Sequence, residues 1–284
     1  MIVTFLGTAA ANAFPEAFCK CPNCQQARLL GGFSLRKRSA LLINDDLLLD
    51  LNPDIMVASQ IHGCSLTNVR YCLQTHPHAD HLDLSHLLSR SPDFGTVGTP
   101  ILNFYASAET LQKADEIFAR DLAGYSLLSP QAETELKLKI HRVVPLQPFM
   151  VGNYRVIAYP ANHAPQMGAM LYSVESGGRA IFYGTDTATL LAQTWEAFHQ
   201  FQMQFDLVIL DHTYGPSQSG TDHLSAHQVI DHIQRLRREG LLKPTARTLA
   251  THIAHEGNPA HPELVEFATK NGYEVAYDGL VLDI

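Results

Sequence analysis

The chain has 284 residues, 46% of them hydrophobic and 17% charged, with a formal net charge of −8. That length can bury a sizeable core in one large domain or two small ones, and the acidic balance argues against a nucleic-acid partner, which would want a basic surface. No apolar run approaches the roughly 18 residues of a membrane span, and the start of the chain lacks the charged-then-apolar layout of a signal peptide, so the expectation is a cytoplasmic protein with no membrane partner.

Strand-like and helix-like runs alternate along the chain, and no low-complexity linker divides them, which predicts one domain over 1–284. Residues 1–7 read as the first strand and 39–43 with 47–49 as a hairpin across Asn44, Asp45 and Asp46. A short helix over 53–61 precedes a strand over 69–74. Further strands are predicted at 101–105, 135–140, 154–159, 169–174 and 180–183, with a helix over 108–119. The strands at 205–210 and 247–251 each follow a helix. The clearest helix is 226–239, where Val229, Ile230, Ile233 and Leu236 form an apolar stripe, Ser225 and Gln228 can form a capping box and Gly240 ends the run. A last helix starts near Pro262, which suits a first turn, and strands at 273–276 and 280–284 follow it. The fold class this order predicts is α/β, with helices packed outside two facing sheets.

Five cysteines in a cytosolic chain are thiols or metal ligands rather than disulfides. Cys19, Cys21 and Cys24 form a C-x-C-x-x-C set, whereas Cys64 and Cys72 stand alone and read as small buried residues. Three thiolates need one more donor to close a tetrahedral structural zinc site, and His255 can supply it while His252, three residues earlier, serves elsewhere. The basic spots Arg36–Lys37–Arg38 and Arg235, Arg237 and Arg238 read as solvated faces.

The densest chemistry lies at Thr75–His76–Pro77–His78–Ala79–Asp80–His81, three imidazoles and a carboxylate where a strand opens into a loop. Core packing asks for no such cluster, and these donors suit zinc and neighbouring divalent metals. In such a loop His76 and His78 can share one ion while Asp80 and His81 serve another. Two ions need further ligands, and strand ends are where loops converge. His163, Asp186 and His252 each stand directly after a predicted strand.

H-x-H-x-D-H followed by His163, Asp186 and His252 resembles the metallo-β-lactamase superfamily over nearly the whole chain. The resemblance implies a four-layer αββα sandwich with a two-metal site at one edge of the sheets. By it, His76, His78 and His163 hold one divalent ion, Asp80, His81 and His252 hold the other, and Asp186 bridges them. Zinc, manganese and iron all accept these ligands. Asp50 resembles the family's supporting acidic residue. The cysteine set with His255, and the ending Val275–Ala276–Tyr277–Asp278–Gly279, resemble the phosphoribosyl 1,2-cyclic phosphate phosphodiesterases of carbon–phosphorus bond cleavage. That implies hydrolysis of a small-molecule phosphate ester by a metal-bridging hydroxide, with Asp80 in the catalytic machinery. The same cysteine arrangement also occurs in the pyrroloquinoline quinone biosynthesis proteins of the superfamily, and a lactonase, a thioester hydrolase or a tRNA-processing-type nuclease would use similar metals.

A sugar alkoxide leaves poorly, so a general acid is valuable. His223, just before the capped helix, is the candidate, with Asp222 able to raise its pKa if close. Asp211, at another strand end, can orient a ligand imidazole, and His212 has no assigned role. His62, His86, His141, His199, His227, His232 and His261 read as surface or helix-face residues. Residues 89–98 and 215–220, both loops bearing glycine and proline, are expected to line the pocket. An isologous homodimer is the default assembly for a soluble enzyme.

Overall fold

The computed structural model describes residues 1–284. Its first half contains β1 (Ile2–Gly7), α1 (Pro22–Leu30), β2 (Ala40–Ile43), β3 (Leu47–Leu49), α2 (Ile55–His62), β4 (Tyr71–Leu73), α3 (Ser85–Leu88), β5 (Leu102–Ala106), α4 (Ala108–Ile117), α5 (Pro130–Glu135) and β6 (Leu138–Arg142). The second half contains β7 (Phe149–Val151), β8 (Tyr154–Pro160), β9 (Met170–Ser176), β10 (Arg179–Gly184), α6 (Ala192–Gln200), β11 (Phe205–Asp211), α7 (Ala226–Arg238), β12 (Leu242–Thr251), α8 (His261–Lys270), β13 (Glu274–Val275) and β14 (Val281–Asp283). No helix is long and apolar enough to cross a membrane.

The strands form two seven-stranded sheets, β14-β1-β2-β3-β4-β5-β6 and β13-β12-β11-β10-β9-β8-β7. Each sheet changes character across its width. Pairing is antiparallel from β14 to β3 and parallel from β3 to β6, and likewise antiparallel from β7 to β10 and parallel from β10 to β13.

Alternation along the strands explains how the layers stack. In β2, Leu41 and Ile43 join Leu207 and Ile209 of β11 in the core between the sheets. The intervening Leu42 belongs to the outer cluster that also holds Ile55 of α2 and Leu111 and Ala114 of α4, and Val208 of β11 belongs to the opposite outer cluster with Phe198 of α6, Val229 and Ile233 of α7, and Leu264 of α8. Both faces of these strands are covered, so they read as unbroken apolar runs. The result is the four-layer αββα sandwich that the sequence predicted.

Local chemistry sets the helix ends. Ser225 accepts the Gln228 N–H and the Gln228 side chain returns to the Ser225 N–H, the expected capping box. One basic spot departs from expectation. Arg36 is buried, donating to Thr8 Oγ1 at 2.7 Å and to the Ala276 carbonyl, because it ties the first loop to the end of the chain rather than facing water.

Candidate metal centre

The ligand candidates gather at one end of the sandwich because the strands that carry them run toward that end. His76 to His81 follow β4, His163 follows β8, Asp186 follows β10, and His252 follows β12. Open α/β sheets place their sites beyond the carboxyl ends of parallel strands for the same reason.

The cluster has two halves. His76 Nε2 and His163 Nε2 lie 2.9 and 3.2 Å from His78 Nδ1. His81 Nε2 lies 3.2 Å from Asp80 Oδ2 and 3.4 Å from His252 Nε2. Asp186 stands between the halves. Its Oδ1 is 2.8 Å from His252 Nε2, and its Oδ2 is 3.2 Å from His81 Nε2 and 3.6 Å from His76 Nε2. The donor atoms of His76, His78, His163 and Asp186 lie within 4.8 Å of one another, as do those of Asp80, His81, Asp186 and His252.

The outer nitrogens explain why the inner ones converge. His81 Nδ1 is held by Asp50 Oδ2 at 2.7 Å, and His163 Nδ1 faces the Asp222 carbonyl at 3.3 Å. His76 Nδ1 and His252 Nδ1 meet the hydroxyls of Thr75 at 3.0 Å and Thr213 at 2.8 Å. Such outer partners fix tautomer and ring orientation, leaving the inner lone pairs for an ion. Asp50 is fully buried and also accepts from the Thr75 N–H, the Thr75 hydroxyl and the Gln74 amide, so it braces the whole histidine loop.

Electrostatics divide the cluster the same way. Burial, reinforced by neighbouring imidazoles, holds His76, His78 and His163 below the ordinary histidine value and therefore neutral. Burial also opposes charge on His81 and His252, yet Asp186 and Asp80 outweigh it and lift both, His252 to about 10. The carboxylates thus require positive charge within this half. Neutral imidazoles on one side, a carboxylate pair that favours positive charge on the other, and lone pairs oriented by outer partners on His76, His81, His163 and His252 fit a pair of divalent ions.

A separate group lies close by. Cys19 Sγ and Cys21 Sγ are 3.8 and 3.6 Å from His255 Nδ1, and with Cys24 the four donors lie within 4.8 Å of one another. Cys21 also caps α1, accepting the Cys24 N–H. Burial opposes its thiolate, but that N–H and His255 bring Cys21 down to about 7, while burial pushes Cys24 up to about 12. Asn23 fixes the loop by donating to the His255 carbonyl at 2.8 Å. Three sulfurs and one imidazole nitrogen fit a tetrahedral structural zinc.

Several secondary expectations need correction. Asp222 is not the partner of His223. Its carboxylate is taken by the Tyr214 hydroxyl at 2.5 Å, and His223 Nδ1 instead meets Asp211 Oδ2 at 2.8 Å. Asp211 reaches His252 too, because its Oδ1 accepts from the Thr213 hydroxyl that meets His252 Nδ1. Residues 89–98 and 215–220 do not line the cavity over the cluster; Ala10 to Ala13, Ala254 and Glu256 form its outer wall. His232 is not at the surface. It is buried, accepting the Leu190 N–H at 3.1 Å. His212 is buried between Asn258 and Tyr273, each 2.8 Å away. Cys72 is buried as expected, whereas Cys64 is only half-buried.

Residues 46–253 match the β-lactamase superfamily domain. The coenzyme PQQ synthesis protein B of Acinetobacter baumannii (strain ACICU) is 21% identical over a gapped alignment of 327 positions that covers the whole of both chains. A solved diphosphatase of the PhnP family superposes with a TM-score of 0.73 at 21% identity, over 99% of this chain and 96% of that one. Zn²⁺-bound PqqB from Methylobacterium extorquens superposes with a TM-score of 0.74 at 18% identity over all of both chains. With the domain match spanning most of the chain and the αββα architecture in place, this protein belongs to the metallo-β-lactamase superfamily.

Proposed function

We propose that the protein is a metal-dependent phosphodiesterase acting on a small cyclic or diester phosphate, of the kind that 5-phosphoribose 1,2-cyclic phosphate represents. The observation that carries this reading is His223. It lines the cavity beside His163, with ring centroids 4.8 Å apart, and Asp211 holds its Nδ1. Burial disfavours its charge, but Asp211 prevails and the imidazole titrates above its ordinary value. Nε2 is therefore free to hand a proton to a departing alkoxide. The remaining residues divide the work. His76, His78 and His163 would hold one divalent ion, Asp80, His81 and His252 the other, and Asp186 both. Ions held there would activate water and take up charge on the oxygens of the attacked group. Asp50, Thr75 and Thr213 keep the imidazoles aimed. A cavity of about 240 Å³ has room for a small ester.

The test separates leaving groups. His223→Ala is expected to slow hydrolysis of an alkyl phosphodiester such as 5-phosphoribose 1,2-cyclic phosphate by about 10²–10⁴-fold. Bis(p-nitrophenyl) phosphate, whose leaving group needs no proton, is expected to lose far less. Equal losses on both would remove His223 from the proton-donor role, and no turnover of any diester by metal-loaded protein would remove the phosphodiesterase reading. A second reading, a role in cofactor synthesis, draws on the full-length match to coenzyme PQQ synthesis protein B. The oriented His223–Asp211 pair favours hydrolysis over it.

A further inference from the structure

The cavity over the cluster has a wall with no part in holding ions. Ala9 bridges to Ile253, and the Ala10 N–H donates to the Ile253 carbonyl at 3.2 Å, so the turns that follow, at 10–13 and 254–256, leave from neighbouring points. Ala10, Ala11, Ala13 and Ala254 keep this wall low. Two polar residues line it, Asn12 and Glu256. The Glu256 side chain is 50% exposed, and His255 Nε2 lies 3.5 Å from its carboxylate. No lysine or arginine lines the cavity. The Arg38 guanidinium touches this wall only at a backbone oxygen, donating Nε to the Ala11 carbonyl at 2.9 Å, and pairs its charge with Asp54 at 3.0 Å.

We infer that Glu256 and Asn12 grade substrates by the part that does not react, favouring a hydroxyl-bearing diester with a single phosphate over one that carries a second phosphate at its far end, which is still turned over. The inference rests on the phosphodiesterase reading above and narrows it. A remote phosphate is ordinarily met by arginine forks, lysines or a helix N-terminus, and this wall offers a carboxylate instead. Like charges brought together at a rim are a device for refusing the wrong ligand. A polyol meets the opposite reception. Its hydroxyls can donate to Glu256, and the Asn12 amide can both donate and accept. The four methyl side chains leave width for a sugar ring and discriminate little. On this reasoning ribose 1,2-cyclic phosphate is the better substrate and its 5-phosphorylated form the poorer one.

The experiment compares kcat/KM for these two diesters in metal-loaded wild type, Glu256→Gln and Glu256→Lys, alongside calorimetric binding of ribose 1-phosphate and ribose 1,5-bisphosphate. Wild type is expected to favour the singly phosphorylated diester by about tenfold. Glu256→Gln, which keeps an acceptor facing His255, should shrink that preference, and Glu256→Lys should reverse it. Faster turnover of the 5-phosphorylated diester by wild type, or one ratio across all three proteins, would overturn the inference. Should neither diester be cleaved, the phosphodiesterase reading falls and binding decides the wall's role. Tighter monophosphate binding that reverses in Glu256→Lys supports it, and tighter bisphosphate binding by wild type overturns it.

Discussion

Asp211 and His212 are chain neighbours with opposite tasks. Asp211 divides its two oxygens, one between the Thr213 N–H and hydroxyl, the other between the Thr187 N–H and His223. It thereby positions two imidazoles of the site at once. His212, one residue on, is sealed between Asn258 and Tyr273, and burial takes it down to about 4 from the model-peptide 6.5. A histidine kept neutral in the fold but protonated when unfolded pulls toward unfolding as pH falls. Its stabilisation is intact above pH 6.5 and declines between 6.5 and about 4. Urea unfolding across that window should show a loss of up to about 3 kcal/mol from this residue, and His212→Gln should flatten the curve. A variant curve parallel to wild type would refute the assignment. Asp211 was legible in the sequence as a strand-end acid. Its pairing with His223 was not, because Asp222 is adjacent in the chain and only the strand geometry shows that Tyr214 already occupies it.

Helix α7 was readable in full because three local signals agree: an apolar stripe, a capping box and a terminal glycine. Ser225→Ala removes the acceptor for the Gln228 N–H, so thermal unfolding should report a loss of about 1 kcal/mol; an unchanged Tm would show that the box carries no weight. Other elements gave weaker signals. Helix α1 begins with a cysteine as its cap and a proline at its start, a combination that reads as a zinc loop rather than a helix. Strand β7 has three residues after Pro148 and forms only because β8 offers Val156, Arg155 and Tyr154 as partners. Strands β2, β10 and β11 announced themselves as apolar runs covered on both faces.

At the scale of the whole molecule, the histidine and aspartate ligand candidates stood out in the sequence because each follows a strand. The cavity wall did not, since Ala10 to Ala13 and Glu256 are far apart in the sequence and are brought together by the pairing of Ala9 and Ala10 with Ile253. Two separate ligand clusters predict independent loading. Elemental analysis should find about three divalent metals per chain, with Cys21→Ser losing one and Asp186→Ala losing the catalytic pair while keeping the cysteine-bound ion. A count that does not change in Cys21→Ser would sink the structural zinc site. The end of β12 also has a consequence for assembly. His252 and His255 leave the same strand three residues apart, one completing the histidine–carboxylate cluster and the other the cysteine cluster. Neither cluster can close until β12 has docked beside β11, a contact far apart in sequence from both the histidine loop and the cysteines. Non-local pairings of this kind form slowly, so the donors of both clusters stay apart until β12 has docked, and that one docking event completes both sites together.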